Sequence, residues 1–169
     1  MPEQLTHNQV AFSKKIFPVT LVCDNITYQP NIGSLFRLCD AFGINKIIFI
    51  GKDLALTPRK INRTSRGTHL TVSYEVIETA EEAIAYLKNN DFEIISLEIT
   101  KSSIPVKQLS IKGSKPIALV LGSEVSGVSE SFLNLSDTVT HIEMFGSNSS
   151  MNVVQAAAIA LYEITATLS

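Results

Sequence analysis

The feature that most constrains the fold is the alternation of short apolar runs with amphipathic segments. The runs occur at residues 17–23, 46–50, 92–99 and 116–121. They are rich in valine, isoleucine and leucine and show no polar face, which is typical of strands buried on both sides. Amphipathic or capped segments lie between or after them. This alternation predicts an α/β fold with a mostly parallel sheet and helices on both of its faces.

The remaining segments complete this prediction. We expect a loop at 24–31, a helix at 32–43 ended by Gly43, a strand at 71–77, a helix at 79–89, a short helix at 129–135, a short strand at 141–144 and an alanine-rich helix at 152–168. The helix at 79–89 opens with Thr79 and has Glu82 three residues later, as in a capping box. Residues 52–70 show no clean period, and no element is predicted there.

Composition narrows the class of protein. The chain has 169 residues, of which 45% are hydrophobic, so we expect one domain over 1–169 with 1–15 as an N-terminal arm or first turn. No apolar run is long enough to span a membrane, and residues 1–15 lack the core of a signal peptide, so a cytoplasmic protein is expected. Cys23 and Cys39 show no metal spacing, and we expect no metal and assign Cys39 to the core.

The charge is uneven. The formal net charge is −2, which excludes a uniformly basic coat protein, yet residues 46–69 carry six cations against Asp53 alone. From composition, this segment is either a solvated loop or a phosphate-binding patch.

A parallel sheet binds ligands beyond the carboxyl ends of its strands. The loops to inspect are therefore 24–34, 51–70, 98–104, 122–129 and 144–152. The run LGSEVSGVSE at 121–130 is neither a phosphate-binding Walker loop nor GxGxxG, so it is either a simple turn or a ligand loop. Ordinary interpretations also exist for single residues. Glu124 could be a surface acid, Arg37 a solvated charge and Asn31 a helix cap, and Ser149, Ser150 or Asn152 could cap the last helix. His7, His69 and His141 are isolated, and no catalytic triad or zinc pattern occurs.

Three segments together resemble the SpoU (TrmH) family of S-adenosylmethionine-dependent RNA 2′-O-ribose methyltransferases, in the SPOUT superfamily. The family's Asn-x-Gly-x-x-x-Arg is matched by Asn31, Gly33 and Arg37, followed by Cys-Asp-Ala-x-Gly at 39–43. Its Leu-Gly-x-Glu-x-x-Gly is matched at 121–127. Its third motif is matched at 142–153, with Glu143 for the usual proline and Met151 for the usual leucine. Valine also stands at 125, where many relatives have glycine.

The resemblance implies a deep trefoil knot in the C-terminal part, a bent S-adenosylmethionine held by the loops, and a homodimer with a shared active site. The residues that it assigns to the cofactor are Leu97, Glu98, Thr100, Leu121, Gly122, Gly127, Ile142, Met144, Ser150, Met151 and Asn152. The residues that it assigns to catalysis are Arg37, Asn31, Glu124, Ser150 and Asn152. Those expected to hold RNA phosphates are Arg59, Lys60, Arg63 and Arg66.

By the same resemblance, Arg37 reaches the active site from the partner subunit. A guanidinium is nearly always protonated, so we expect it to fix a phosphate and stabilise the developing alkoxide rather than act as a base. Asn31, Glu124, Ser150 and Asn152 would position Arg37, the ribose and the cofactor.

The expected substrate is tRNA, because the chain shows neither the N-terminal RNA-binding domain of some rRNA-modifying relatives nor a long basic extension. Two stretches, CDAFG at 39–43 and NRTSRG at 62–67, look most like the tRNA guanosine-18 branch, whereas the short length looks more like the wobble-nucleotide branch. The alternatives are an rRNA 2′-O-methyltransferase and a non-catalytic RNA-binding or assembly protein with the same fold. A small Rossmann oxidoreductase is disfavoured because GxGxxG is missing.

Overall fold

The structure is a computed structural model that describes residues 4–6, 9–10, 12–52, 54 and 56–169. His7 and Asp53 lie outside the described residues, as does part of the expected arm at 1–15.

A seven-stranded sheet forms the centre of the molecule. Its strands are β1 (Val19–Asp24), β2 (Lys46–Ile50), β3 (Ser73–Ile77), β4 (Glu93–Leu97), β5 (Ile104–Pro105), β6 (Ile117–Gly122) and β7 (Thr138–His141). Their order is β3-β2-β1-β6-β4-β7-β5, and every neighbouring pair is parallel. The predicted parallel sheet is therefore confirmed.

Helices cover both faces of the sheet. They are α1 (Gln29–Ala41), α2 (Pro58–Ser65), α3 (Ala80–Asn89), α4 (Glu130–Leu135) and α5 (Val153–Thr167). The buried side chains form two clusters, one between the sheet and α1, α2 and α5, the other between the sheet and α3 and α4. The strands at the centre bury both faces, as predicted, whereas the edge strand β3 is largely exposed.

Several predicted boundaries are wrong. The helix predicted from residue 32 already begins at Gln29, because proline is favourable in the first turn of a helix, and Asn31 is inside it rather than at its cap. The strand predicted at 141–144 ends at His141. Residues 52–70 contain α2 and a 3₁₀ turn at Thr68–Leu70, neither of which the periodicity indicates.

Two predicted caps are confirmed. The Thr79 side chain accepts a hydrogen bond from the Glu82 backbone N–H at 3.2 Å. The Asn152 side chain accepts one from the Val154 N–H at 2.9 Å, so Asn152, one of the three residues proposed for this role, caps α5. The strand order does not test the knot, which stays a prediction.

Candidate active site

A cavity of about 670 Å³ opens beyond the carboxyl ends of the central strands. Its walls come from three loops that follow β4, β6 and β7 and from the first turn of α5. The lining residues are Leu97, Glu98, Ile99, Leu121, Gly122, Ser123, Glu124, Gly127, His141, Ile142, Met144, Asn148, Ser149, Ser150, Met151, Asn152, Val153, Gln155 and Ala156. Since β4 and β6 are adjacent in the sheet, residues far apart in sequence meet here.

Most of the residues assigned to the cofactor from sequence line this cavity. Thr100 does not; its backbone N–H instead donates to the Ser103 hydroxyl at 2.9 Å in the turn after β4. Three of the residues assigned to catalysis, Glu124, Ser150 and Asn152, line the cavity as well. Asn31 and Arg37 do not.

Asn31 nevertheless connects two residues of the cavity wall. Its side-chain amide donates to Glu124 Oε1, and its Oδ1 accepts from Asn152 Nδ2 at 3.3 Å. Asn31 is only 8% exposed, in the first turn of α1. The network therefore joins the first turn of α1, the loop after β6 and the cap of α5, which are the three segments that carry the sequence motifs.

The loop after β6 is held in one shape by close backbone contact. A Cβ atom on Gly122 would lie 2.1 Å from the Gly127 carbonyl carbon and 2.2 Å from the Val128 nitrogen, so only glycine fits. Gly127 has a φ of +68°, a conformation that favours glycine. Ser123 and Gly127 pair as an isolated antiparallel bridge, and the Ser126 N–H donates to the Ser123 hydroxyl at 3.1 Å.

Two carboxylates anchor the far end of this loop. Glu98 Oε2 accepts from the Val128 N–H at 3.0 Å, and Asp24 Oδ2 accepts from the Ser129 N–H at 2.8 Å. Sequence reasoning missed Asp24. The only signal was an acid at the end of a buried strand, in a loop already marked for inspection.

The predicted RNA-binding residues lie on or directly after α2, and none of them lines the cavity. Arg59, Lys60, Arg63 and Arg66 are all exposed, and none forms a salt bridge with any residue that the structure describes. Helix α2 packs so closely on α1 that a Cβ on Gly33 would lie 2.0 Å from the Thr64 hydroxyl oxygen.

Arg37 belongs to the same region. It is one helical turn after Gly33 on α1, so it lies near the α1–α2 contact. Its side chain is exposed and has no hydrogen bond or ion pair within the described part of the chain. These five cations, Arg37, Arg59, Lys60, Arg63 and Arg66, form what we call the cationic surface.

The two cysteines are unsuited to nucleophilic chemistry. Burial raises the pKa of the Cys23 thiol well above its usual range, and the neighbouring Cys39 and Asp24 raise it further. Burial likewise raises the pKa of Cys39, with a smaller contribution from Asp40. Both therefore remain protonated in the core, as expected for Cys39.

The histidines that are described each contact a serine. His69 Nδ1 lies 2.8 Å from the Ser65 hydroxyl, and His141 Nδ1 lies 2.9 Å from the Ser103 hydroxyl. His141 also lines the cavity, which sequence reasoning did not foresee. Among the described residues, no three histidine, cysteine, aspartate or glutamate side chains converge as a metal site would require.

The sequence profile of the SpoU rRNA Methylase family matches residues 18–162. The chain belongs to this family.

Two relatives illustrate the range of substrates in the SpoU family. The chain is 30% identical over 145 residues to a tRNA (guanosine(18)-2′-O)-methyltransferase of Thermus thermophilus. The matched region covers 86% of this chain and 73% of that relative. The chain is 32% identical over 146 residues to a 23S rRNA (adenosine(1067)-2′-O)-methyltransferase of Streptomyces azureus, covering 85% of this chain and 52% of the relative. The chain thus spans about half the length of the second relative.

Solved structures support the SpoU fold. The tRNA-modifying TrmH/SpoU enzyme of Aquifex aeolicus matches with a TM-score of 0.79 at 27% identity, over 90% of this chain and 76% of that one. The SpoU methyltransferase AviRb of Streptomyces viridochromogenes, in complex with S-adenosylmethionine, matches with a TM-score of 0.79 at 23% identity, over 99% of this chain and 63% of that one.

Glu143 stands where the family's third motif usually has proline, and its side chain has an ion-pair partner. Glu143 forms an ion pair with Lys107, which follows β5 in a 3₁₀ turn. Glu143 also lines a second cavity of about 540 Å³ that shares several residues with the first. The ion pair connects the loop after β7 to the segment after β5.

The residues of the first cavity fit the cofactor that the SpoU resemblance implies. Leu97, Leu121 and Met144 supply apolar walls, and Gly122 and Gly127 line the cavity with backbone atoms alone. The cavity volume lies in the ordinary range for small-molecule sites, about 300–1,000 Å³.

None of the helices in the described part of the chain is long and apolar enough to cross a membrane.

Proposed function

We propose that the chain transfers a methyl group from S-adenosylmethionine to a ribose 2′-hydroxyl of RNA, with tRNA as the substrate. The observation that carries the proposal is the convergence of all three family motifs on one cavity, through the hydrogen bonds that join Glu124, Asn31 and Asn152. Of the two relatives described, the tRNA enzyme matches this chain over the larger part of its own length, which supports tRNA over rRNA.

The cavity is the proposed cofactor site. When bound, S-adenosylmethionine supplies an activated methyl group on a sulfonium sulfur. Leu97, Leu121, Ile142 and Met144 would exclude water from that group, while Gly122 would present the polar atoms of its backbone to the cofactor. Glu98, Gly127, Ser150, Met151 and Asn152 complete the proposed set.

The residues of this chain hold the ribose in line for transfer, which is a task of proximity and orientation. Asn31 fixes the side chains of Glu124 and Asn152 on the cavity wall, and Ser150 lies beside them. Arg37 does not line the cavity of its own chain, so in this proposal it comes from a partner subunit and stabilises the negative charge that develops on the 2′-oxygen. The new O–C bond would form as the S–C bond breaks, S-adenosylhomocysteine would be the leaving group, and the hydroxyl proton would pass to water.

The cationic surface is the proposed RNA-binding surface. Its side chains are exposed and form no salt bridges with described residues, so they are free to contact phosphates. Its place on α1 and α2 rather than at the cavity supports the homodimer, because a partner's cationic surface is then needed beside each cavity.

A labelling experiment tests the substrate. The protein is incubated with S-adenosylmethionine carrying a labelled methyl group and with purified tRNA or rRNA in separate reactions. We expect label in tRNA and not in rRNA. Label in rRNA alone would overturn the choice of tRNA, and label in neither would overturn the proposed activity.

A further inference from the structure

We infer that Asp24 and Glu98 are positioning residues that fix the loop after β6 for cofactor binding. This inference rests on the proposed function, because it concerns the affinity of the same cavity for S-adenosylmethionine. Neither the family motifs nor the polar network at Asn31 includes Asp24.

The position of the two carboxylates follows from the sheet. Strand β6 lies between β1 and β4, so its loop is flanked by the ends of both strands. Asp24 is the last residue of β1, and Glu98 directly follows β4. Their side chains accept hydrogen bonds from consecutive backbone amides, Ser129 and Val128. One loop is thus held from both sides by charged acceptors.

Each carboxylate also uses its second oxygen. Glu98 Oε1 accepts from the Ile99 N–H at 2.9 Å, so Glu98 connects the loop after β4 with the loop after β6, and Ile99 itself lines the cavity. Asp24 Oδ1 accepts from Asn25 Nδ2 at 2.8 Å. Asp24 is only 1% exposed, and a buried carboxylate is costly unless donors surround it, so the loop cannot move away without leaving Oδ2 of that carboxylate without its donor.

Glu98 and Asp24 differ in how many hydrogen bonds survive when the carboxylate is replaced by a side-chain amide. Both donors to Glu98 are backbone amides, and the NH₂ group of glutamine cannot accept a hydrogen bond, so Glu98→Gln must lose one contact. In Asp24→Asn the new oxygen can still accept from Ser129, while Asn25 can turn its amide to present an oxygen to the new NH₂ group. Asp24→Ala removes both contacts. The inference therefore predicts a large effect for Glu98→Gln and Asp24→Ala, and a small one for Asp24→Asn.

The test measures affinity and loop opening separately from activity. Calorimetry gives the Kd of S-adenosylhomocysteine, the demethylated product, and hydrogen–deuterium exchange reports on the peptide at 123–129. Glu98→Gln and Asp24→Ala should raise Kd about tenfold or more, as the loss of a hydrogen bond to a charged group implies, and should speed exchange in this peptide. Asp24→Asn should change Kd less than about threefold. Glu130→Gln, an exposed residue just beyond the loop, is the matched control and should change neither.

A KM-against-kcat comparison gives a further readout. In Glu98→Gln, KM for S-adenosylmethionine should rise by a larger factor than kcat falls. A variant that melts at a lower temperature but keeps the wild-type Kd, exchange and KM would show a purely structural role and overturn the inference. If the wild-type protein itself does not bind S-adenosylhomocysteine, the proposed function fails; if it binds and Glu98→Gln binds equally well, only this inference fails.

Discussion

Arg37 is the residue on which the proposed chemistry most depends. It is exposed on α1, has no partner among the described residues, and does not line its own chain's cavity. A structural arginine would instead make contacts within its subunit. Its position fits a group that acts on RNA at the cavity of another subunit.

Arg37→Ala should therefore abolish methyl transfer without changing cofactor affinity. Removing a preorganised group that stabilises charge typically costs about 10²–10³ in rate. Single-turnover transfer to tRNA measures the rate, and calorimetry with S-adenosylhomocysteine measures the affinity. Lys88→Ala, which removes one exposed cation from α3 on the other face of the sheet, is the control. Loss of cofactor binding in Arg37→Ala would show that Arg37 is structural.

Single residues were predictable from sequence to different degrees. Asn152 could be named as one of three candidate caps, because a polar side chain just before an alanine-rich helix can accept from its first free amides. Asn31 could not be placed, since helix preference alone favours a cap whereas the structure puts it in the first turn, linking Glu124 to Asn152. Those links span 93 and 121 residues, and no local pattern reports contacts over such distances.

At the scale of elements, α2 shows how packing overrides periodicity. It has eight residues, and Ile61 is its buried apolar side chain in the described sequence. One apolar position in eight residues cannot repeat, so the segment shows no apolar period. It is helical because it packs on α1 at Gly33, where a side chain would not fit. The sequence left open whether the cations of residues 46–69 belong to a solvated loop or to a phosphate-binding patch. The structure shows that several of them lie on a helix and are exposed.

Arg59→Ala and Arg63→Ala should each weaken tRNA binding and reduce its salt dependence by about one phosphate contact. These side chains are four residues apart, so they lie on the same exposed face of α2, where both can contact the RNA backbone. Filter binding at several salt concentrations measures the slope. Lys88→Ala again serves as the control. An unchanged slope in both arginine variants would remove α2 from the RNA-binding surface.

The loop after β6 gives a second prediction at this scale. Gly122→Ala would push a Cβ into the backbone at Gly127 and Val128, so it should destabilise the protein by about 1–3 kcal/mol and abolish cofactor binding. Gly146→Ala adds the same atom in the loop after β7, where nothing lies within 4 Å, and should be tolerated. Thermal unfolding and calorimetry on both variants make the comparison. Normal binding by Gly122→Ala would mean that the loop's shape is not needed.

At the scale of the whole molecule, the proposed site requires two chains. No residue of the cationic surface lines the cavity of its own chain, and Ile159 and Tyr162 leave exposed apolar area on α5. We expect light scattering to give the mass of a dimer at micromolar concentration. Mixing Arg37→Ala with a cavity variant such as Gly122→Ala should restore some transfer if sites are shared between subunits. A monomer with full activity would contradict the shared site.

The fold class could be predicted from the sequence, but the order of the strands in the sheet could not. Apolar runs of five to eight residues indicate buried strands, and their alternation with helices indicates a parallel sheet. The order β3-β2-β1-β6-β4-β7-β5 depends on which strands pair over long distances, which periodicity does not report. The two-residue strand β5 is too short to carry a pattern. The knot likewise belongs to the path of the whole chain, and a crystal structure that traces residues 98–152 would test it.

Methylation of a ribose hydroxyl has a chemical signature that tests the central claim directly. A 2′-O-methyl group leaves no hydroxyl to attack the neighbouring phosphate, so alkali cannot cleave the linkage that follows it. After reaction of tRNA with S-adenosylmethionine carrying a labelled methyl group, alkaline hydrolysis should leave the label in dinucleotides, and Arg37→Ala should give none. Label released in mononucleotides would show methylation of a base, and it would contradict the proposed reaction.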